Sequence, residues 1–422
     1  DDVLPLFKRA ENWAHHGTNT QDEALRGDSG PLGVEETPIR YPITNAWMQA
    51  CVNAGYPLTS DYNGARQDGI AHYQQTIHSG RRCSAAVAYL HPVKHRKNLR
   101  IITDTAIDRI IFEGKCAIGV QARNAHGTFT IKAGRELLLS AGAINSPQLL
   151  MLSGIGDGSH LQDQGIALTH QLRGVGQNLQ DHLQARPMFK TTCSTINTEV
   201  NSWWKQALIG AQYMFNQTGR LTLAASLCAG FMRTKKSLQT PDIQFHVQPL
   251  SADTLVEGPH KFSGLTTSVC QLRPESRGHI TLASPNPADY PKIMANYLAT
   301  EIDRQTMVDG VKIAHKIART DPLQPLLTEV YYGKAEPHGD DDASILEWIR
   351  NTATTIYHPC GTCKMGDDNM AVVDARLRVH GISGLRVVDA SIMPTIVSGN
   401  TNAPTIMIAE NATDMILQDN SA

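Results

Sequence analysis

The sequence predicts an α/β protein, α+β overall, that combines a Rossmann-like part built on parallel strands with a second part of sheet and helix. Three observations predict it. Leu137, Leu138 and Leu139 are apolar on both faces and run through Ser140, Ala141 and Gly142 into a helical segment, as a buried parallel strand does before a tight turn. Leu385 to Val388 repeats the pattern, ending at Asp389 ahead of a Gly- and Asn-rich loop and a last helix. Between these two, Ile243, Phe245 and Val247 alternate with Gln244, His246 and Gln248, the period of a half-buried strand.

Composition sets the frame. The chain has 422 residues, 41% hydrophobic and 18% charged, enough to bury a large core in about two to three domains. Lys+Arg 38 against Asp+Glu 40 leaves almost no net charge, and five Trp with eight Phe supply no basic aromatic groove, which excludes nucleic acid as a partner. The longest apolar run, Leu137 to Leu152, is interrupted by Ser140, Asn145, Ser146 and Gln148, short of the ~18 residues a spanning helix needs. The N-terminus has no basic region followed by an apolar one. A cytoplasmic, reducing setting is therefore expected, with peripheral association at a membrane surface left open.

Along the chain, Val3, Leu6, Phe7, Ala10, Trp13 and Ala14 fall at helical spacing and predict a helix over Val3 to His16. Gly27 to Gly33 is turn chemistry, and Pro42 to Cys51 resumes a helix with Thr44 or Asn45 as N-cap. Strands follow at Leu99 to Thr103, Asp108 to Phe112, Ala117 to Ala122, Thr128 to Lys132 and Glu136 to Leu139. Pro147 then starts a short helix over Gln148 to Leu152. The middle region is helical around Trp203 to Phe215, then stranded at 243–247, Thr266 to Leu272 and His279 to Leu282. A polar segment, Ala335 to Asp342, leads to a helix from about Ala343 to Arg350, and the last helix spans about Pro404 to Leu417. Two α/β pieces, near 99–156 and 355–422, thus flank a β-rich middle. If they join one sheet, Ser140, Ala141, Gly142, Asp389 and Ala390 all lie at the carboxyl ends of parallel strands, where open α/β sheets bind ligands.

Two segments can carry chemistry. His358 precedes Pro359 in a stiff extended stretch opening into a glycine turn, which holds the imidazole in place as a general base requires. Among 17 histidines, an ordinary core or surface role is the alternative. Asn400 and Asn402 stand just before a helix, with amides able to orient a hydroxyl beside a positive helix end. Plain capping of that helix is the competing reading. Six of the eight cysteines are scattered and read as buried thiols, while Cys360 and Cys363 have the spacing of a redox pair or half a zinc site. Neither reading finds its second half, so no metal site is assigned.

These residues resemble a family. Gly142 to Gly156 (GAINSPQLLMLSGIG) is similar to the second signature of the glucose–methanol–choline (GMC) oxidoreductases. Gly174 to His182 (GVGQNLQDH), the His358 block, Val387 to Pro394 and Gly399 to Met407 add further matches, closest to bacterial choline-dehydrogenase-like and alcohol-dehydrogenase members.

The resemblance implies FAD as cofactor, His358 as the base taking the hydroxyl proton of an alcohol, and Asn400 as the partner of the substrate oxygen. It places Asn402, Ala403 and Pro404 at the flavin's pyrimidine edge, Asp389 and Ala390 near the pyrophosphate and ribityl chain, and Ala106 and Ile107 beside the adenine. Implied domains are a helical and loop segment bordering the substrate site (1–80), FAD-binding parts at 81–182 and 355–422, and a substrate-binding domain at 183–354. The implied reaction takes a primary alcohol to its aldehyde, with a quinone-like or other electron acceptor. Family members open with a strand, a Gly-x-Gly-x-x-Gly turn and a helix; no such run occurs in this sequence, so the FAD-binding Rossmann-like domain is expected to be incomplete. A fragment that binds no FAD, a choline-specific dehydrogenase and a thiol protein built on Cys360 and Cys363 are the rival readings.

Overall fold

A computed structural model describes residues 2–14, 23–36, 39–224, 226–254, 257–333 and 337–419. The chain divides into two units, one of Asp1–Val93, Leu183–Leu272 and Glu301–Thr355, the other of Lys94–His182, Arg273–Thr300 and Ile356–Ala422. Residues 273–300, inside the 183–354 stretch, therefore belong to the second unit.

The first unit is built on an antiparallel eight-stranded sheet. Its main path runs Leu327–Tyr331, Met188–Thr191, Gly264–Gln271, Ile243–Gln248, Cys228–Met232 and Gly69–His72. Ile243, Phe245 and Val247 are fully buried, as their alternation predicts. Gly264–Gln271 is buried at every residue because the helix Glu301–Ala318 packs on it. Gly310 makes that approach close: a Cβ there would stand 2.9 Å from Val269 Cγ2.

Two N-terminal expectations are corrected. The first helix spans only Leu4–Ala10, and Glu11–Trp13 is a strand parallel to Leu32–Glu36. That strand also takes over the end of the expected Gly27 to Gly33 turn. Buried Arg26 accounts for the change: Glu11 takes its Nε and Nη2 at 3.0 and 2.6 Å, Asp61 takes Nη1 at 2.8 Å, and the Trp13 ring lies 4.3 Å from its guanidinium. Satisfying an enclosed cation outweighs helical periodicity. His15, His16, Ala335 and Glu336 lie outside the described residues. In the helix Pro42–Asn53 neither Thr44 nor Asn45 caps; Tyr41 holds the N-cap position without a side-chain bond, and Thr44 Oγ1 donates inward to the Tyr41 carbonyl at 2.9 Å.

The second unit holds an antiparallel meander, Ala106–Glu113, Cys116–Asn124 and Gly127–Lys132, and a parallel pair, Leu137–Leu139 with Leu385–Val387. Leu99 to Thr103 forms no strand: nothing pairs with it among the described residues, and Asp104 at φ 54° turns the chain before Ala106. The parallel pairing is as predicted, although Leu138 is 47% exposed rather than buried. The core joins Leu139, Leu150, Ile155, Val387, Ile392 and Ile408 around Cys360 and Cys363. Among the described residues, no helix is long and apolar enough to cross a membrane.

The helix expected from Gln148 instead spans Gly142–Leu152 and contains Pro147. A proline there cannot donate to the Ala143 carbonyl one turn back. Thr362 Oγ1 donates to that carbonyl at 2.6 Å in its place, which lets the helix run through.

All eight cysteines are free thiols. Burial, followed by the charge of Asp181, pushes the Cys360 thiol up to about 12, and burial raises Cys363 as well. Their backbones are held by two partners: Cys360 N–H donates to the Gln180 carbonyl at 2.9 Å and Cys363 N–H to the Ser391 carbonyl at 2.8 Å.

Two predictions follow from this packing. Thr362→Val should cost about 1–3 kcal/mol in denaturant unfolding by orphaning the Ala143 carbonyl, and Pro147→Ala in that background should recover most of the loss. In the native protein at mildly alkaline pH, an alkylating reagent should label exposed Cys116 while sparing Cys360 and Cys363 until the chain unfolds; fast native labelling of that pair would restore the redox reading.

Candidate active site

The site lies wholly in the second unit and is organised by the segment Gly174–His182. Gly176, at φ 80°, donates its N–H to the Thr362 carbonyl at 2.9 Å, and a Cβ there would stand 2.3 Å from the Ile280 carbonyl oxygen. Asn178 Nδ2 donates to the carbonyls of Gly361 at 3.1 Å and Pro394 at 3.2 Å. Gln180 exchanges backbone bonds with Cys360, donates Nε2 to the Pro394 carbonyl at 3.0 Å and accepts from Ile396 N–H at 3.1 Å. This one loop therefore ties together the two C-terminal stretches that carry His358 and lead to Asn400.

Asp181 is the convergence point. Its Oδ1 accepts the backbone N–H groups of His182 and His358, both at 2.9 Å, and its Oδ2 accepts from the Tyr297 hydroxyl. His358 also sits between Tyr357, at φ 63°, and Pro359, so its backbone has little freedom. The buried His182 and His358 rings are near perpendicular, with Nδ1 to Nδ1 at 3.0 Å.

Asn400 Nδ2 is 3.2 Å from His358 Nε2, and an amide NH₂ only donates. With Nδ2 directed at Nε2, a neutral His358 ring would carry its proton on Nδ1, 3.0 Å from His182 Nδ1.

A second knot joins the strand ends. The Asp389 carboxylate accepts from Gly142 N–H at 2.9 Å and Ser146 Oγ at 2.5 Å through one oxygen, and from Ser391 N–H at 2.8 Å through the other. It locks the ends of Leu137–Leu139 and Leu385–Val387 together, so Ser140, Ala141, Gly142, Asp389 and Ala390 share one corner. Ser140 and Ala141 are exposed, and a Cβ on Gly142, at φ 83°, would meet nothing within 4 Å. Asn402 and Ala403 are exposed at the start of the 18-residue helix Asn402–Asp419, with Pro404 half-buried behind them. An exposed strand end and a separate exposed helix start, with its positive end, fit the phosphate and pyrimidine edges of FAD. Ala106 and Ile107 are exposed on a different element, the antiparallel meander. Among the described residues, no group of three or more His, Cys, Asp or Glu side chains is placed to hold a metal ion.

His358 and Asn400 are thus brought into contact. Sequence reasoning gave no role to Asp181, His182, Tyr297 or Ser146. The available signal was the N-L-Q-D-H run, in which the side chains of Asn178, Asp181 and His182 turn out to bond to the His358 block.

A family profile described as GMC oxidoreductase matches residues 1–184 with its N-terminal part and 274–409 with its C-terminal part. The chain is 40% identical over 422 residues to a protein named oxygen-dependent choline dehydrogenase from Escherichia coli O139:H28 (strain E24377A / ETEC), covering 98% of this chain and 74% of that one. Among solved structures, pyridoxine 4-oxidase from Mesorbium loti is similar with a TM-score of 0.85 and 28% identity, covering 99% of this chain and 77% of that one. A formate oxidase of Aspergillus oryzae RIB40, studied for modification of its FAD, is similar with a TM-score of 0.92 and 25% identity, covering 100% and 78%. The match across both ends of the chain leaves one assignment: it belongs to the GMC oxidoreductases, flavoproteins that use FAD to oxidise CH–OH donors.

Proposed function

We propose that this chain oxidises a primary alcohol to its aldehyde, with His358 as general base and Asn400 holding the substrate oxygen. The observation that carries the reading is the Asn400 amide nitrogen set 3.2 Å from His358 Nε2. A hydroxyl seated against both groups replaces their direct bond, its O–H donating to Nε2 and its oxygen accepting from Nδ2. His358 then takes the hydroxyl proton, and His182 receives the Nδ1–H bond, which strengthens as the imidazolium forms. FAD, when bound, supplies the acceptor for the hydride that leaves the alcohol carbon.

Ser140 to Gly142, Asp389, Ala390 and Asn402 to Pro404 are the residues we assign to holding the cofactor, with Ala106 and Ile107 on its adenine side. The helix start at Asn402 offers positive potential where electrons arrive, and a quinone-like or other acceptor then collects them. A second reading, choline as the substrate, draws on the 40% identity to a protein named for that reaction. A trimethylammonium group needs an aromatic or acidic cage. Turnover of choline against an uncharged primary alcohol of equal length separates the two readings.

In FAD-loaded protein, with flavin content read from absorbance near ~450 nm, His358→Ala should slow flavin reduction by at least about 100-fold. A near-wild-type rate would remove His358 from the mechanism. Asn400→Ala should also slow reduction, and a larger effect at Asn402 would move the substrate partner there. His182→Ala should lower kcat far more than it raises KM, because that ring positions the base without meeting the alcohol.

A further inference from the structure

The helix Trp203–Asn216, in the first unit, turns its apolar side outward. Trp203, Trp204, Leu208, Met214 and Phe215 share one face at about 100° per residue, and no residue of the helix is buried. Trp203 is 81% exposed, Phe215 80% and Met214 74%, while Ile209, Gly210 and Tyr213 on the other side are half-buried. An amphipathic helix ordinarily buries its apolar stripe, and an exposed one marks a surface with a partner.

Charge identifies the partner. The net charge of the chain is -2, yet Val200 to Pro241 contains no Asp or Glu and carries Lys205, Lys235 and Lys236, besides Arg220 and an Arg233 that pairs with Asp68 at 2.9 Å. Glu199, just before this stretch, is taken up by Arg220 Nε and the Tyr41 hydroxyl, both at 2.8 Å. At the far end of the helix the Gln217 amide, turned to satisfy both its neighbours, accepts from Arg81 Nη2 at 3.1 Å, which brings the exposed pair Arg81 and Arg82 alongside.

We propose that this face seats on a bilayer containing anionic phospholipid, the helix lying in the plane of the surface. Trp203 and Trp204 then sit at headgroup level, Leu208, Met214 and Phe215 enter the first methylenes, and Lys205, Arg81 and Arg82 meet phosphates. A second copy is the weaker occupant: a two-fold contact on this face would set like cations against one another.

The test mixes the full chain with vesicles of phosphatidylcholine, or of phosphatidylcholine with phosphatidylglycerol, and measures sedimentation and tryptophan quenching by bromine-labelled lipid. Trp13, Trp47 and Trp348 are buried, so quenching reports Trp203 and Trp204. Expected is partition into the anionic vesicles with quenching. Paired Trp203→Ser and Phe215→Ser should weaken it at least about 10-fold with unchanged thermal melting. Arg81→Gln with Arg82→Gln should weaken anionic binding by about fivefold per charge and leave the neutral vesicles unaffected. The proposal is overturned by absence of binding to either vesicle, by binding indifferent to Trp203 and Phe215, or by a dimer that the same substitutions dissolve without any lipid binding.

Discussion

The buried Asp181 carboxylate is the interaction on which the rest of the site depends. It accepts from two backbone N–H groups, those of His182 and His358, and from the Tyr297 hydroxyl, all within the second unit. Bonds to a charged acceptor are worth more than neutral ones, about 1.5–3 kcal/mol each, and an enclosed carboxylate without them would be costly. That need fixes two chain segments against each other with their imidazoles in contact. With Asn400 Nδ2 directed at His358 Nε2, a neutral His358 ring would hold its proton on the side of His182.

Around this centre, the unit satisfies its polar backbone with side chains from distant segments. Asp389 closes the two parallel strand ends, Thr362 supplies the hydrogen that Pro147 lacks, and Gln180 and Asn178 bind the carbonyls of Gly361 and Pro394. Cys360 and Cys363 take part as packing, with their backbones pinned to Gln180 and Ser391. Their spacing belongs to the turn beside His358. The parts that hold the corner rigid are buried, while Ser140, Ala141, Asn402 and Ala403 stay exposed.

Much of this was legible in the residues, and the remainder has a common cause. Strands such as Cys116–Asn124 and Leu385–Val387 carry their period locally, and the stiff setting of His358 and the place of Asn400 before the last helix show in their immediate neighbours. What sequence reading missed depends on partners far along the chain. Pro147 reads as a helix start because its compensating hydroxyl is 219 residues from Ala143. His182 shows no role of its own because its ring partner is 176 residues away. The helix at Val3 overran because Glu11 answers to Arg26 rather than to its own periodicity, and the strand expected at Leu99 has the right composition with no neighbour to pair with among the described residues.

The central claim is that His358 presents an unprotonated Nε2 because its Nδ1 proton is committed to His182. Imidazole nitrogen NMR of the protein at neutral pH, labelled at histidine, tests it most directly. The account predicts a His358 ring protonated on Nδ1, with a coupling to His182 Nδ1 and a bare Nε2. A His358 ring carrying its proton on Nε2, or an Nδ1 proton with no partner at His182, would contradict it.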